Sequence, residues 1–188
     1  MLIAQAKRKE NIAEYLLYMW QVEDLIRANH CDIDEVQRNV IDRFQVDDDT
    51  RHEMREWYDS LIKMMELEHV KQNGHLQINK NVLIRLNDLH RLLLQSPKFP
   101  EYGAQYYQAL PFIVELRAKA PEGKQVDELE TCFQALYGVL LLKLQGKEIS
   151  KETEKAIGHI SYFLGMLAAY YKKDEAGELF DENDNLND

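Results

Sequence analysis

The chain has 188 residues, 45% of them apolar and 10% aromatic, and a formal net charge of −10. That length and apolar content suit a globular domain and not a disordered chain. The acidic balance argues against nucleic acid and anionic membrane surfaces as partners, because both need clustered Lys and Arg.

Apolar residues recur at three and four positions along nearly the whole sequence and convincing two-residue alternation is absent, so the fold class is all-α. The spacing predicts a single-domain bundle of six to seven helices. The first runs from about Lys7 to Ala28, with Ile12, Tyr15, Met19, Val22 and Ile26 as its stripe. A short helix follows Asp32, which with Glu35 has capping-box spacing, and ends near Phe44. A third starts after Thr50, paired in the same way with Glu53, and ends before Gly74. The fourth follows Asn79 as its cap and stops before Ser96-Pro97.

The fifth begins near Pro100 and ends before Pro121, with Pro111 inside it; the proline should kink the helix and leave the Tyr107 carbonyl without its usual donor. Helices six (126–145) and seven (after Ser150, to about Tyr171) are joined by a short link containing GKEI and are expected as a central antiparallel hairpin. Residues 1–171 thus read as the helical bundle domain. Residues 172–188 carry seven acidic side chains against two lysines and read as an acidic, disordered tail.

Cys31 and Cys132 are far apart, match no metal or redox spacing, and fit a reducing compartment. The opening MLIAQAKRKENIAEY has no long apolar stretch behind its charges, and no unbroken apolar run, 139–142 among them, is long enough to cross a bilayer. A cytoplasmic protein with no membrane partner is expected.

Glu66 and His69 stand three apart on the third helix, the spacing that carboxylate-bridged di-iron bundles use for half of a metal site. Counting about 100° per residue turns Glu66 away from the apolar stripe, and no second Glu-x-x-His is present. No metal site is assigned. The phosphate-loop and nucleophile-elbow motifs are missing as well, so no catalytic residue and no cofactor are assigned.

Glu23 is the more informative carboxylate. It lies within about 60° of the centre of the first stripe, with Trp20 and Arg27 a turn either way. Buried there, it would have the raised pKa that a general acid or a ligand contact needs; at the edge of the stripe it would form an i, i+4 pair with Arg27. Tyr107 and its neighbours around Pro111 are residues that can line a pocket, although tyrosine at a core margin is also ordinary packing. On helix seven, Gly158, Ser161, Gly165 and Ala168 or Ala169 form a small-residue side read as a packing face. The other side carries His159, Phe163, Met166 and Tyr170, which must meet either the first helix or a second subunit.

The segments IAQAKRKENIAEYLLYMWQVEDLIRA (3–28), QALPFIVELRAKA and IGHISYFLGMLAAYY resemble a family of helical proteins of the Bacteroidetes, the domain of unknown function DUF4924. The resemblance covers most of the chain. It implies a small cytoplasmic helical protein of a bacterium, and it carries over no activity, ligand or site residue.

The resulting expectation is a non-enzymatic cytoplasmic interaction protein, working as a homodimer or with another protein. The alternative is a small-molecule-binding protein or enzyme with a pocket near Trp20, Glu23 and Arg27 or near Pro111. Candidate ligand or interaction residues are Trp20, Glu23, Arg27, Tyr107, His159, Phe163, Met166 and Tyr170.

Overall fold

The computed structural model describes residues 2–121 and 126–180. Among them are eight α-helices and one short 3-10 turn, in the order α1 (Leu2–Glu10), α2 (Ile12–Ala28), α3 (Ile33–Asn39), the turn (Ile41–Arg43), α4 (Asp48–Leu67), α5 (Gln77–Gln95), α6 (Pro100–Lys119), α7 (Glu128–Leu144) and α8 (Lys151–Glu175). The all-α class holds. None of these helices is long and apolar enough to cross a membrane.

The chain groups into two compact units, one holding residues 1–10 and 14–82, the other residues 11–13 and those from 83 onward. In the first, α3 and the turn pack on α4, and Leu16, Ile26, Val36, Ile41, Met65 and Leu76 are buried. In the second, α6 packs on both α7 and α8, and α7 on α8. Its buried residues include Tyr102, Ile113, Phe133 and Phe163.

The boundaries show which signals are local. The predicted first helix is two helices, because the Asn11 side chain accepts a hydrogen bond from the Ala13 N–H (3.0 Å) and so starts α2 afresh. Asp32 caps α3 as expected, accepting from the N–H groups of Asp34 and Glu35, but the Glu35 side chain turns to His30 (2.7 Å) instead of closing the capping box. At α4 the cap is Asp47, three residues before the predicted Thr50, whose own N–H is the donor. That helix ends at Leu67, where His69 takes a left-handed φ of 57°.

Helix α5 starts at Gln77, so Asn79 lies inside it and not at its cap. Pro100 occupies the first turn of α6, where a missing N–H costs nothing, and the helix runs unbroken through Pro111. Ser150 caps α8 as predicted. Its end comes later than Tyr171: the helix continues to Glu175 and closes in a Schellman motif, with Gly177 at φ 71° and the Glu178 N–H donating to the Lys173 carbonyl. Phe180 then packs edge-on against Phe99. The remainder of the expected tail, residues 181–188, lies outside the described residues.

Candidate functional site

Helix α2 turns one face towards the 68–76 connection that links α4 to α5. Glu23 on that face is fully buried, and both of its oxygens are engaged. Oε1 accepts from the Leu76 N–H (2.9 Å) and from Asn79 Nδ2 (2.7 Å). Oε2 lies 2.6 Å from His75 Nδ1; a carboxylate has only acceptors, so Nδ1 carries the proton and donates. The His75 ring stacks on Trp20 with centroids 4.2 Å apart and planes 12° from parallel.

This constellation starts a helix. Leu76 holds the N-cap position of α5 and offers no side-chain acceptor, so the orphan N–H groups of the first turn need one from elsewhere. Glu23 takes the Leu76 N–H, and Glu68 Oε2 takes the Gln77 N–H at 2.6 Å. Both carboxylates also sit at the positive end of the α5 dipole, where negative charge is stabilised.

Arg27, one turn further along α2, does not pair with Glu23. It bonds Asp24 (2.8 Å), the Val70 carbonyl (3.1 Å) and the Gly74 carbonyl, so it fastens the same connection from the side. Trp20, Glu23 and Arg27 therefore come together as a clamp on the chain itself. The hydrogen bonds of Glu23 and Arg27 run to the chain itself, which accounts for the burial of Glu23 without a ligand. Glu66 is exposed and pairs with Lys71 (2.8 Å), away from any cluster. Among the described residues, no three His, Cys, Asp or Glu side chains converge to hold a metal ion.

In the second unit, α5, α6 and α8 enclose an aromatic cluster around His90. Its Nδ1 shares a 2.6 Å hydrogen bond with the Tyr102 hydroxyl, and its ring meets the edges of Tyr102, Tyr106 and Phe163. Burial lowers the His90 pKa, opposed in part by Glu128, which keeps the imidazole neutral. The Tyr106 hydroxyl donates to Glu128 Oε2 (2.6 Å). Burial pushes the Cys132 thiol up to about 12, so it is not a nucleophile at neutral pH. The half-buried Cys31 thiol is raised by the same cause.

The cluster also settles the two faces of α8. Phe163 is fully buried, Tyr170 packs on Phe99 (5.2 Å) and Tyr102 (5.8 Å), and His159 stacks on Phe112 (5.1 Å); Met166 is half-buried. This side is thus covered within the chain, by α6 and the residues around it. The small-residue side is the open one. Gly158, Ser161, Gly165 and Ala169 are exposed and only Ala168 is buried, the reverse of the expected packing face. Large aromatic side chains gain more from leaving water than glycine and serine do, and they set which side turns inward.

Tyr107 has a different setting. It is 65% exposed and belongs to a row on the outer face of α6 with Ala104, Pro111, Val114 (56% exposed) and Ala118, all exposed. The spacing is three, four, three, four, the repeat of a helix made to lie along another helix. The inner face of α6 has its own apolar row, Tyr102, Tyr106, Ala109 and Ile113, and that one is buried. Helix α6 is therefore apolar on two sides and covered on one. The outer row was legible in the sequence as a spacing, but the eye is drawn to the tyrosines and the proline singly. The carbonyl that Pro111 leaves without a donor, that of Tyr107, falls on the same outer side.

Fold and site together define an all-helical protein with an internal clamp at the start of α5 and an uncovered apolar face on α6. The chain belongs to the family of the domain of unknown function DUF4924, whose model matches residues 1–178. No curated protein and no solved structure matches it.

Proposed function

We propose that the chain is a cytoplasmic, non-enzymatic interaction protein that works by laying the outer face of α6 against another helix. The observation that carries this reading is the exposed row Ala104, Tyr107, Pro111, Val114 and Ala118, held on a helix whose opposite side is fixed in the core. Rows of apolar side chains at heptad spacing bury poorly in isolation and well against a second row. The net charge of −10 favours protein over nucleic acid as what is met. The test places a photo-crosslinking amino acid at position 107 or 114, with position 84, an exposed isoleucine on α5, as the control. Cross-linking to protein at 107 and 114 but not at 84 is expected in the native host. Equal yields at all three positions, or none, would overturn the reading.

A small-molecule reading has its best footing away from Glu23. A cavity of 240 Å³ is lined by Arg8, Tyr15, Met19, Trp57, Leu61 and Met64 among others. Arg8 lies over the Tyr15 ring (5.7 Å) and makes no ion pair among the described residues. A site of this kind suits a small apolar ligand with one anionic group. Quenching of Trp57 fluorescence by such a compound, abolished by Arg8→Gln, would favour this reading over the first.

A further inference from the structure

We infer that the cavity beside Arg8 binds a single-ring aromatic carboxylate, its ring inside and its carboxylate on Arg8; the inference rests on the small-molecule reading above. The site lies wholly within the first compact unit, where α1, α2, α4 and the first turn of α5 each contribute to its lining. Its floor and its rim differ in kind. Tyr15, Met19 and Leu61 are buried, whereas Gln5, Arg8 and Ser60 are exposed. The deep part is therefore mostly apolar and the mouth is polar, an arrangement that takes a ligand apolar end first.

Charge sets one end of the ligand. Among the described residues, Arg8 is the only charged side chain of the lining. Its neighbour Lys7 pairs with Glu14 at 3.0 Å, and Arg27, Arg51 and Arg55 of the same unit each hold an aspartate. Arg8 holds no carboxylate among the described residues, in a chain whose net charge is −10. Its guanidinium lies instead over the Tyr15 ring, 5.7 Å from the centroid. A guanidinium held on a ring face keeps its N–H fork for a planar carboxylate, which it grips with two bonds at once. Arg8 also donates to the Tyr15 hydroxyl, and burial raises the pKa of that phenol. The phenol thus keeps its proton, and its O–H is a second donor at the same end.

The walls and the volume set the other end. Trp57 supplies an indole, and Met19 and Met64 supply thioethers. Both kinds of side chain make directed contacts with an aromatic ring that an alkyl chain does not receive. An apolar cavity of roughly 150 Å³ takes benzene. The 240 Å³ here leaves room beyond one ring for about three more atoms, at roughly 30 Å³ for each the size of water. A carboxylate joined directly or through one carbon fills that space, and a second ring with a carboxylate exceeds it. So small a ligand binds modestly, with Kd on the order of 0.1–1 mM.

The test follows the indole N–H signals of Trp20 and Trp57 by NMR on the full chain, with Trp57→Phe to assign them. Phenylacetate, its uncharged amide phenylacetamide and the ringless acid hexanoate are added in turn. Phenylacetate should shift the Trp57 signal to saturation, and the amide and hexanoate should each bind at least about fivefold more weakly. Arg8→Gln should erase the preference for acid over amide; the Arg8 side chain is exposed, so the fold is retained. Hexanoate binding as tightly as phenylacetate overturns the aromatic class and leaves the small-molecule reading standing. Equal binding of acid and amide, or a preference that survives Arg8→Gln, overturns the seating of a carboxylate on Arg8. No shift of the Trp57 signal by any of the three overturns the inference and the small-molecule reading together.

Discussion

Two parts of this molecule depart from the rule of apolar inside and polar outside, and they do so in opposite directions. Around Glu23 a carboxylate is fully buried; along the outer face of α6 a row of apolar side chains is exposed. The buried group has three hydrogen-bond donors, all from its own chain. Among the described residues, nothing covers the exposed row. A buried polar group whose bonds are complete is explained by what it holds together, here the start of α5. An exposed apolar row is what the proposed partner helix would cover. Burial singled out Glu23 as a candidate site, but completeness is the better criterion, and it points to α6 instead.

The largest effect should come from the first of these regions. Glu23→Ala leaves the Leu76 N–H, Asn79 and His75 without their acceptor in a buried place, and should destabilise the chain by about 3–5 kcal/mol in urea unfolding. A loss under 1 kcal/mol, on the same scale, would mean that the clamp does not hold α5. The His90 cluster gives a test in pH. Its folded pKa is lowered, so below the ordinary histidine value the unfolded chain binds a proton that the folded chain refuses. Stability from this group is complete above about pH 6.5 and declines as pH falls towards the folded pKa. An NMR titration should show the His90 ring still neutral at the ordinary histidine midpoint of about 6.5; a midpoint at or above that value would contradict the buried, neutral imidazole.

Smaller effects sharpen the contrast. Gly165→Ala should stabilise the chain by about 0.5–1 kcal/mol, since a Cβ at that exposed helical position meets nothing within 4 Å. The bulkier Gly165→Leu should fit as well, where a packed small-residue face would have penalised it. Val114→Lys on the outer row should change unfolding by no more than about 0.5 kcal/mol. A large loss there, seen in dilute protein, would show that the row is part of the core.

What the sequence revealed follows from where each signal resides. Ser150 and Pro100 mark the starts of α8 and α6 because each acts on its own first turn, and the period of the apolar residues alone sets the all-α class. The start of α5 was misplaced at Asn79 because its acceptor is Glu23, 53 residues away from the Leu76 N–H it receives, and no local reading finds a cap at that distance. The break at Asn11 was readable but was hidden by an apolar stripe that continues across it. For Glu23 the angle on the helical wheel correctly put it near the buried side. Its partners, His75 and Asn79, lie in a segment whose sequence has no pattern to tie it to α2. On α8 the small-residue side, read as a packing face, is exposed, and the His159 side is covered by α6 and not by the first helix, since spacing gives the sides of a helix but not which of them a neighbour covers.

The most direct measurement is photo-crosslinking in the native host from positions 107 and 114 on the outer face of α6, beside position 84 as the control. The proposed reading predicts protein adducts at 107 and 114 and none at 84. Equal yields at all three positions, or none, would contradict the proposal that the outer face of α6 is laid against another helix.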